Sequence, residues 1–248
     1  MFFSRFINNS KAKTNTEKAG AETRGERKAV IEKTTVDGAS QQNLQHSQAF
    51  ENLLKTLNAT GAERAYGGYD AGLLDKIYDW ERDEAEDIIW YGLENDIRLA
   101  MYFPKLTKYD GTDALKKRLP ECIIPSQASA DLARELYEAT GEEHYLDVIK
   151  KNVDAAKNSS SYVVALLFCK PCEHLYSLLE EIYLENESKE ARSVAAKGLL
   201  ICKGMLESYT KLQMNEGTIG LLEKFDVDSR EEREKILEDF RRVSTTEF

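Results

Sequence analysis

The sharpest local arrangement of reactive side chains in this 248-residue sequence is Cys169-Lys170-Pro171-Cys172, preceded by the apolar run Tyr162 to Phe168 and followed by a helical pattern. Two thiols at that spacing, placed where a helix begins, can carry thiol–disulfide exchange, because the positive end of a helix stabilises a thiolate. With His174 the same stretch reads Cys-x-x-Cys-x-His, half of a conceivable zinc site whose fourth ligand would have to be His144, Cys202 or Cys122. None of those stands at a diagnostic spacing and no second Cys-x-x-Cys exists, so neither a metal nor another cofactor is expected. His46, His144 and His174 are the only histidines, which leaves few places for a Ser/His/Asp or Cys/His catalytic group; each reads as a surface or interface residue. Carboxylates are plentiful enough to supply an acid/base pair by count, but no catalytic residue is singled out.

A second cluster is of a different kind. Between Asp70 and Arg98 stand ten acidic and three basic residues, net −7, together with both tryptophans, Trp80 and Trp90, and with Tyr78 and Tyr91. Aromatic anchors inside a field of one sign are what an electrostatically steered interface for a basic partner would use. Tyr78, Trp80, Asp83, Glu84, Asp87 and Trp90 are the residues expected to make it. The competing reading is a solvated helical face whose aromatic rings point into the core. For the dithiol, the stretch resembles the thioredoxin active-site arrangement, which implies redox activity for Cys169 and Cys172. No proline follows Cys172, however, so the proline loop that faces the dithiol in that family has no counterpart. The competing reading there ends one helix near Phe168 and puts Pro171 in the first turn of the next, where its missing N–H costs nothing.

Charge and composition narrow the partner class. Thirty-four Lys and Arg against 44 Asp and Glu give a net charge of −10, which opposes sequence-independent attraction to nucleic acid or to an anionic membrane surface. Residues 1–43 carry eight basic and five acidic side chains, which leaves −13 on the rest. From Asn8 to Asn43 only eight residues are hydrophobic, five of them Ala, too few to offset the entropy of ordering the segment. Residues 1–43 are therefore expected to form a disordered tail with a short apolar start, Phe2, Phe3, Phe6 and Ile7. No run approaches the roughly 18 apolar residues of a membrane span. Four cysteines are too few for a disulfide framework and no secretory signal is visible, so a reducing, cytoplasmic setting is expected.

From Leu44 to the end the hydrophobic period is helical. Leu175, Leu178, Leu179, Ile182 and Tyr183 line one face, and Ala191, Val194, Ala195, Gly198, Leu199 and Cys202 form another whose small residues admit a close neighbour. This hairpin recurs. Leu73-Leu74-Asp75-Lys76-Ile77-Tyr78 reads almost as Leu178-Leu179-Glu180-Glu181-Ile182-Tyr183, with looser copies at 132–137 and 221–226, each followed by a second periodic stretch. Thr140-x-x-Glu143 and Ser229-x-x-Glu232 have the form of a capping box at the start of the second helix. The spacing predicts four hairpins starting near 73, 132, 178 and 221, with one further helix such as Tyr162 to Phe168 in each interior interval.

The stretch Ala191-Arg192-Ser193-Val194-Ala195-Ala196-Lys197-Gly198-Leu199 and the hairpin that carries it resemble a HEAT or armadillo-type repeat. The resemblance implies an all-α solenoid of stacked antiparallel hairpins over residues 44–248, a superhelix that presents a protein-binding surface and carries no chemistry. The expected function is a non-enzymatic adaptor or scaffold for a basic protein or peptide. An immunity-type inhibitor of a basic toxin is one alternative, and a small thiol enzyme using Cys169 and Cys172 is another.

Overall fold

Short polar side chains set where most helices begin. In the computed structural model, which describes residues 45–61, 68–206 and 216–242, Ser47 accepts from the Phe50 amide ahead of α1 (Gln48–Asn58). Helix α2 (Arg82–Gly92) lies behind two short 3-10 turns, Leu73–Asp75 and Asp79–Glu81. Asp96 caps a longer 3-10 segment, Ile97–Lys105, and Asp110 caps α3 (Gly111–Arg118). Ser126 caps α4 (Gln127–Thr140), which α5 (His144–Ala155) and α6 (Ser160–Leu167) follow. Cys172 caps α7 (Glu173–Glu185) and Ser188 caps α8 (Lys189–Cys202). The last pair is α9 (Glu216–Phe225) and α10 (Arg230–Arg241), the latter capped by Ser229. Each such cap satisfies an N–H left over at a helix start and contributes about 1 kcal/mol. There is no strand among the described residues. The expected tail 1–43 lies outside them, as does any helix between 207 and 215.

Packing joins elements that are near in sequence. Helix α4 lies on α5, α7 on α8, and α6 on α5 and α8, while α10 packs on α7 and α9 on α8. The faces expected from the periodicity are those that go inside: Leu175, Leu178, Leu179, Ile182 and Tyr183 of α7 are buried, as are Ala191, Ala195, Gly198, Leu199 and Cys202 of α8. A β-carbon at Gly198 would stand 2.8 Å from a Leu179 methyl and 3.2 Å from one of Leu167, so the small residue is what lets α8 lie against α7 and α6 at once.

Arginines tie the last hairpins together. Arg192 donates to the carbonyls of Asn186 and Glu187 and reaches the Asp228 carboxylate at 3.3 Å, while Arg233 donates to Asp228 O at 2.6 Å and to Leu184 O at 2.8 Å. Both thereby occupy carbonyls beyond the reach of helical hydrogen bonds. The buried Lys203 does the same at the far end, donating to Phe240 O at 2.6 Å beneath the Phe240 ring. Tyr183 donates to Phe225 O at 2.9 Å, and burial pushes that phenol up to about 12.

Three of the four expected hairpins form: α4–α5, α7–α8 and α9–α10. The first does not. Leu73 to Tyr78 is a single 3-10 turn followed by extended backbone at Tyr78, because the chain is held from outside on both sides of the turn. Tyr102 donates to Asp70 O, Lys105 to Ala71 O and Arg82 to Leu74 O, and the Tyr78 amide is taken by Glu81. The supposed capping box at Thr140 is absent too. Thr140 is the last residue of α4 and its hydroxyl bonds back to Leu136 O, Gly141 ends that helix in the left-handed conformation (φ +71°), and α5 starts without a side-chain cap. At Ser229 half of the box forms: Oγ accepts from the Glu232 amide, and the Glu232 carboxylate takes that same hydroxyl.

Candidate functional site

The acidic, aromatic stretch is organised around one buried carboxylate. Glu81, at 0% exposure, accepts from the Ser47 amide (2.7 Å), the Ser47 hydroxyl (2.6 Å) and the Tyr78 amide (2.9 Å), and His46 Nδ1 stands 3.0 Å away. Burial pushes this carboxyl up, but the hydrogen bonds from Ser47, Tyr78 and His46 outweigh it and hold the group below its ordinary range. One side chain thus ties the start of α1 to the turn that carries Tyr78, Asp79 and Trp80.

The turn and α1 together present a ladder of rings. Phe50, which is buried, stacks on His46 with centroids 4.7 Å apart; His46 meets Trp80 at 5.1 Å, and Trp80 stacks with Tyr78 at 6.3 Å. The outer end is open to water: Tyr78 is 52% exposed and Trp80 45%. Rings of this size normally bury most of their area. Next to them, Asp79 and the first turn of α2, Asp83 and Glu84, are exposed, and none of the three carboxylates makes a hydrogen bond or ion pair among the described residues. Asp83 lies within electrostatic reach of Lys108. Asp83 and Glu84 also sit at the positive end of α2, where carboxylates are favourable.

Three further acidic residues of the stretch, Glu86, Asp87 and Asp96, are used internally. Glu86, at 0% exposure, accepts from Arg82 Nε (2.6 Å), from the Thr107 amide and hydroxyl, and from the Lys108 amide (2.7 Å). Burial raises its carboxyl and those four donors more than reverse the shift. Asp96 caps the 97–105 segment and chelates the Arg98 guanidinium at 2.9 and 2.6 Å. Asp87 takes Lys108 Nζ at 2.5 Å and the Tyr109 hydroxyl, which hold it below the ordinary carboxylate range. Trp90 is partly buried, stacked 4.4 Å from Tyr109 and 5.4 Å from Phe103.

Of the six residues expected at the interface, Tyr78 and Trp80 are therefore brought together with Asp83 and Glu84 beside their turn. Asp87 and Trp90 have partners within the fold, on the segment 103–109. His46, Asp79 and Glu81 were not singled out from the sequence. The available signal was His46 and Phe50 at helical spacing ahead of the acidic stretch, which periodicity alone does not connect to Trp80 34 residues later.

The dithiol stretch has a different geometry from a thiolate site. Helix α6 ends at Leu167, and Cys172, with Pro171 before it, is the cap of α7: its Sγ accepts from the Leu175 amide at 3.3 Å. Pro171 thus precedes the helix rather than filling its first turn. Cys169 is buried, its thiol bonds to Ala165 O at 3.5 Å, and burial, reinforced by Glu138, pushes its pKa far up, so the first thiol is held as S–H. Helix α4 clamps the intervening Lys170: Tyr137 donates to its carbonyl at 2.8 Å and Glu138 accepts from its amide at 2.6 Å. All four cysteines are free thiols, and burial pushes Cys202 up to about 12. His174 Nε2 is 2.7 Å from Asp147 Oδ1, and no group of three His, Cys, Asp or Glu side chains is disposed to hold a metal among the described residues.

No helix among the described residues is long and apolar enough to cross a membrane. Against family models, curated proteins and solved structures the chain gives no match.

Proposed function

We propose that the chain is a non-enzymatic interaction module, a solenoid-like stack of helical hairpins that works as an adaptor or scaffold and holds a basic protein or peptide at the Tyr78–Trp80 surface. The observation that carries this reading is the open ring ladder, fixed from beneath by Glu81 and flanked by the unpaired carboxylates of Asp79, Asp83 and Glu84. A cationic partner is drawn in by the net charge of −10, and the exposed rings supply the apolar area that holds it once docked. The order of packing, with α6 between α5 and α8, α9 on α8 and α10 on α7, supports the solenoid part. Free thiols throughout favour a reducing, cytoplasmic setting. An immunity-type inhibitor that occludes a basic toxin is a specific version of the same reading, and charge supports it.

The test is calorimetric titration of the full chain with a lysine- and arginine-containing peptide at two ionic strengths. The expected result is binding that weakens with salt, and that Trp80→Ala, or Asp83→Lys together with Glu84→Lys, weakens by about tenfold while the circular dichroism spectrum keeps its helical form. Equal affinity for the native chain and these variants would place the interface elsewhere.

A further inference from the structure

The chemistry at the open end of the ladder distinguishes between cations. Tyr78 and Trp80 offer two flat π-faces whose planes are inclined by only 28°, with centroids 6.3 Å apart. The Trp90–Tyr109 pair, packed inside the fold, closes to 4.4 Å at 11°. A planar sp2 group needs about 3.5 Å to a ring on each face it touches, so at 6.3 Å between centroids the outer pair admits no plate between its rings and leaves only its exposed faces for one to lie across. Asp79 lies between the two ring-bearing residues in sequence and Asp83 and Glu84 follow in the next turn, all three exposed, and no intramolecular ion pair competes for them among the described residues. The lower rungs do not move freely: His46 is stacked on the buried Phe50, and Glu81 fixes the Tyr78 amide and Ser47 in one node.

We infer that the surface recognises arginine: a guanidinium of a basic partner stacks on the Trp80 and Tyr78 rings while its N–H groups face the carboxylates of Asp79, Asp83 and Glu84. The inference rests on the basic-partner reading of the same surface and narrows it to one side chain. Guanidinium is flat, weakly hydrated, permanently charged and stacks on aromatic faces, whereas an ammonium is a compact, strongly hydrated point charge that gains less from an exposed flat face. The same geometry disfavours a nucleic-acid base, the other flat ligand, because three unpaired carboxylates at the rim repel its phosphates.

Two synthetic nonapeptides of equal length and charge, one with three arginines and one with lysine at the same three places, separate the two levels of the argument when titrated calorimetrically into the full chain. The arginine peptide is expected to bind at least about threefold more tightly, in line with an exposed cation–π contact. Trp80→Ala is expected to bring the ratio to one. Tyr78→Leu, at a half-exposed side chain whose loss leaves the Glu81 node intact, is expected to reduce it in the same direction should the tryptophan variant fold poorly. Asp83→Asn with Glu84→Gln is expected to weaken both peptides by the same factor. Equal affinity for the two peptides overturns the arginine inference and leaves the basic-partner reading in place. A preference for arginine that survives both ring variants also overturns it, and binding of neither peptide overturns both.

Discussion

Glu81, Glu86 and Asp96 are carboxylates that the fold has drawn inside; Glu81 and Glu86 are held ionised largely by donors from another part of the chain, and Asp96 by Arg98 two residues on together with Tyr69. Glu81→Gln would put an amide N–H where the backbone N–H of either Ser47 or Tyr78 donates, leaving one buried donor facing a donor and removing the charge; the expected loss of stability is about 1–3 kcal/mol. Their titration adds a pH dependence of definite sign. All three lie below their ordinary values of 4.5, 4.5 and 3.8 when folded, so the unfolded chain binds protons first as pH falls. The stability they contribute is complete above those ordinary values and is lost as pH drops through the lower, folded ones. Thermal unfolding followed by circular dichroism is expected to give a flat melting temperature from pH 7 to about 5 and a steep fall below about 4.5, with a shallower fall in the Glu81→Gln variant; an unchanged slope would remove Glu81 from the account. None of this was legible in the sequence, where the ten acids read as one field. A carboxylate that faces solvent and one that caps a distant amide are the same letter until Ser47 or Thr107 is placed beside it.

At the scale of elements, the parts that periodicity could read are those whose neighbours are close in sequence. Helices α4, α5, α7, α8, α9 and α10 follow their apolar faces, and Ser229 caps where the local pattern says it should. The failures, Leu73 to Tyr78 and Thr140, are places where bonds from elsewhere or a following glycine override local preference. Gly111 is a further position of that kind. It opens α3 directly against the end of the 97–105 segment, and a β-carbon there would fall 2.0 Å from Phe103 O. That obstacle is backbone, not the movable end of a side chain, so α3 and the 97–105 segment must part for a methyl to fit. Gly111→Ala is expected to destabilise the fold by about 2–3 kcal/mol in denaturant unfolding despite the better helix propensity of alanine. A neutral or stabilised variant would show that this contact is loose.

For the molecule as a whole, the question is whether the hairpins act as one cooperative body or as an array in which each depends on its neighbours. The polar ties at the carboxyl-terminal end are few and specific. Arg233 bonds Asp228 O in its own turn and Leu184 O at the end of α7, and Arg241 meets the Glu180 carboxylate at 2.6 Å. If stability is a sum of hairpins and the interfaces between neighbours, loosening the α7–α10 tie should release the last hairpin and leave α4 and α5 alone. Arg233→Ala leaves two carbonyls without their donor, about 2 kcal/mol, and so is expected to raise the opening equilibrium of α10 by roughly 30-fold. Hydrogen exchange followed by mass spectrometry reads this directly. The stacked-array reading requires faster exchange in peptides from α9 and α10 with protection in α4 and α5 unchanged. A uniform rise across all helices would mean that residues 45–242 open together, and the repeat-like pattern in the sequence would then describe how the helices are made rather than how the molecule is held together.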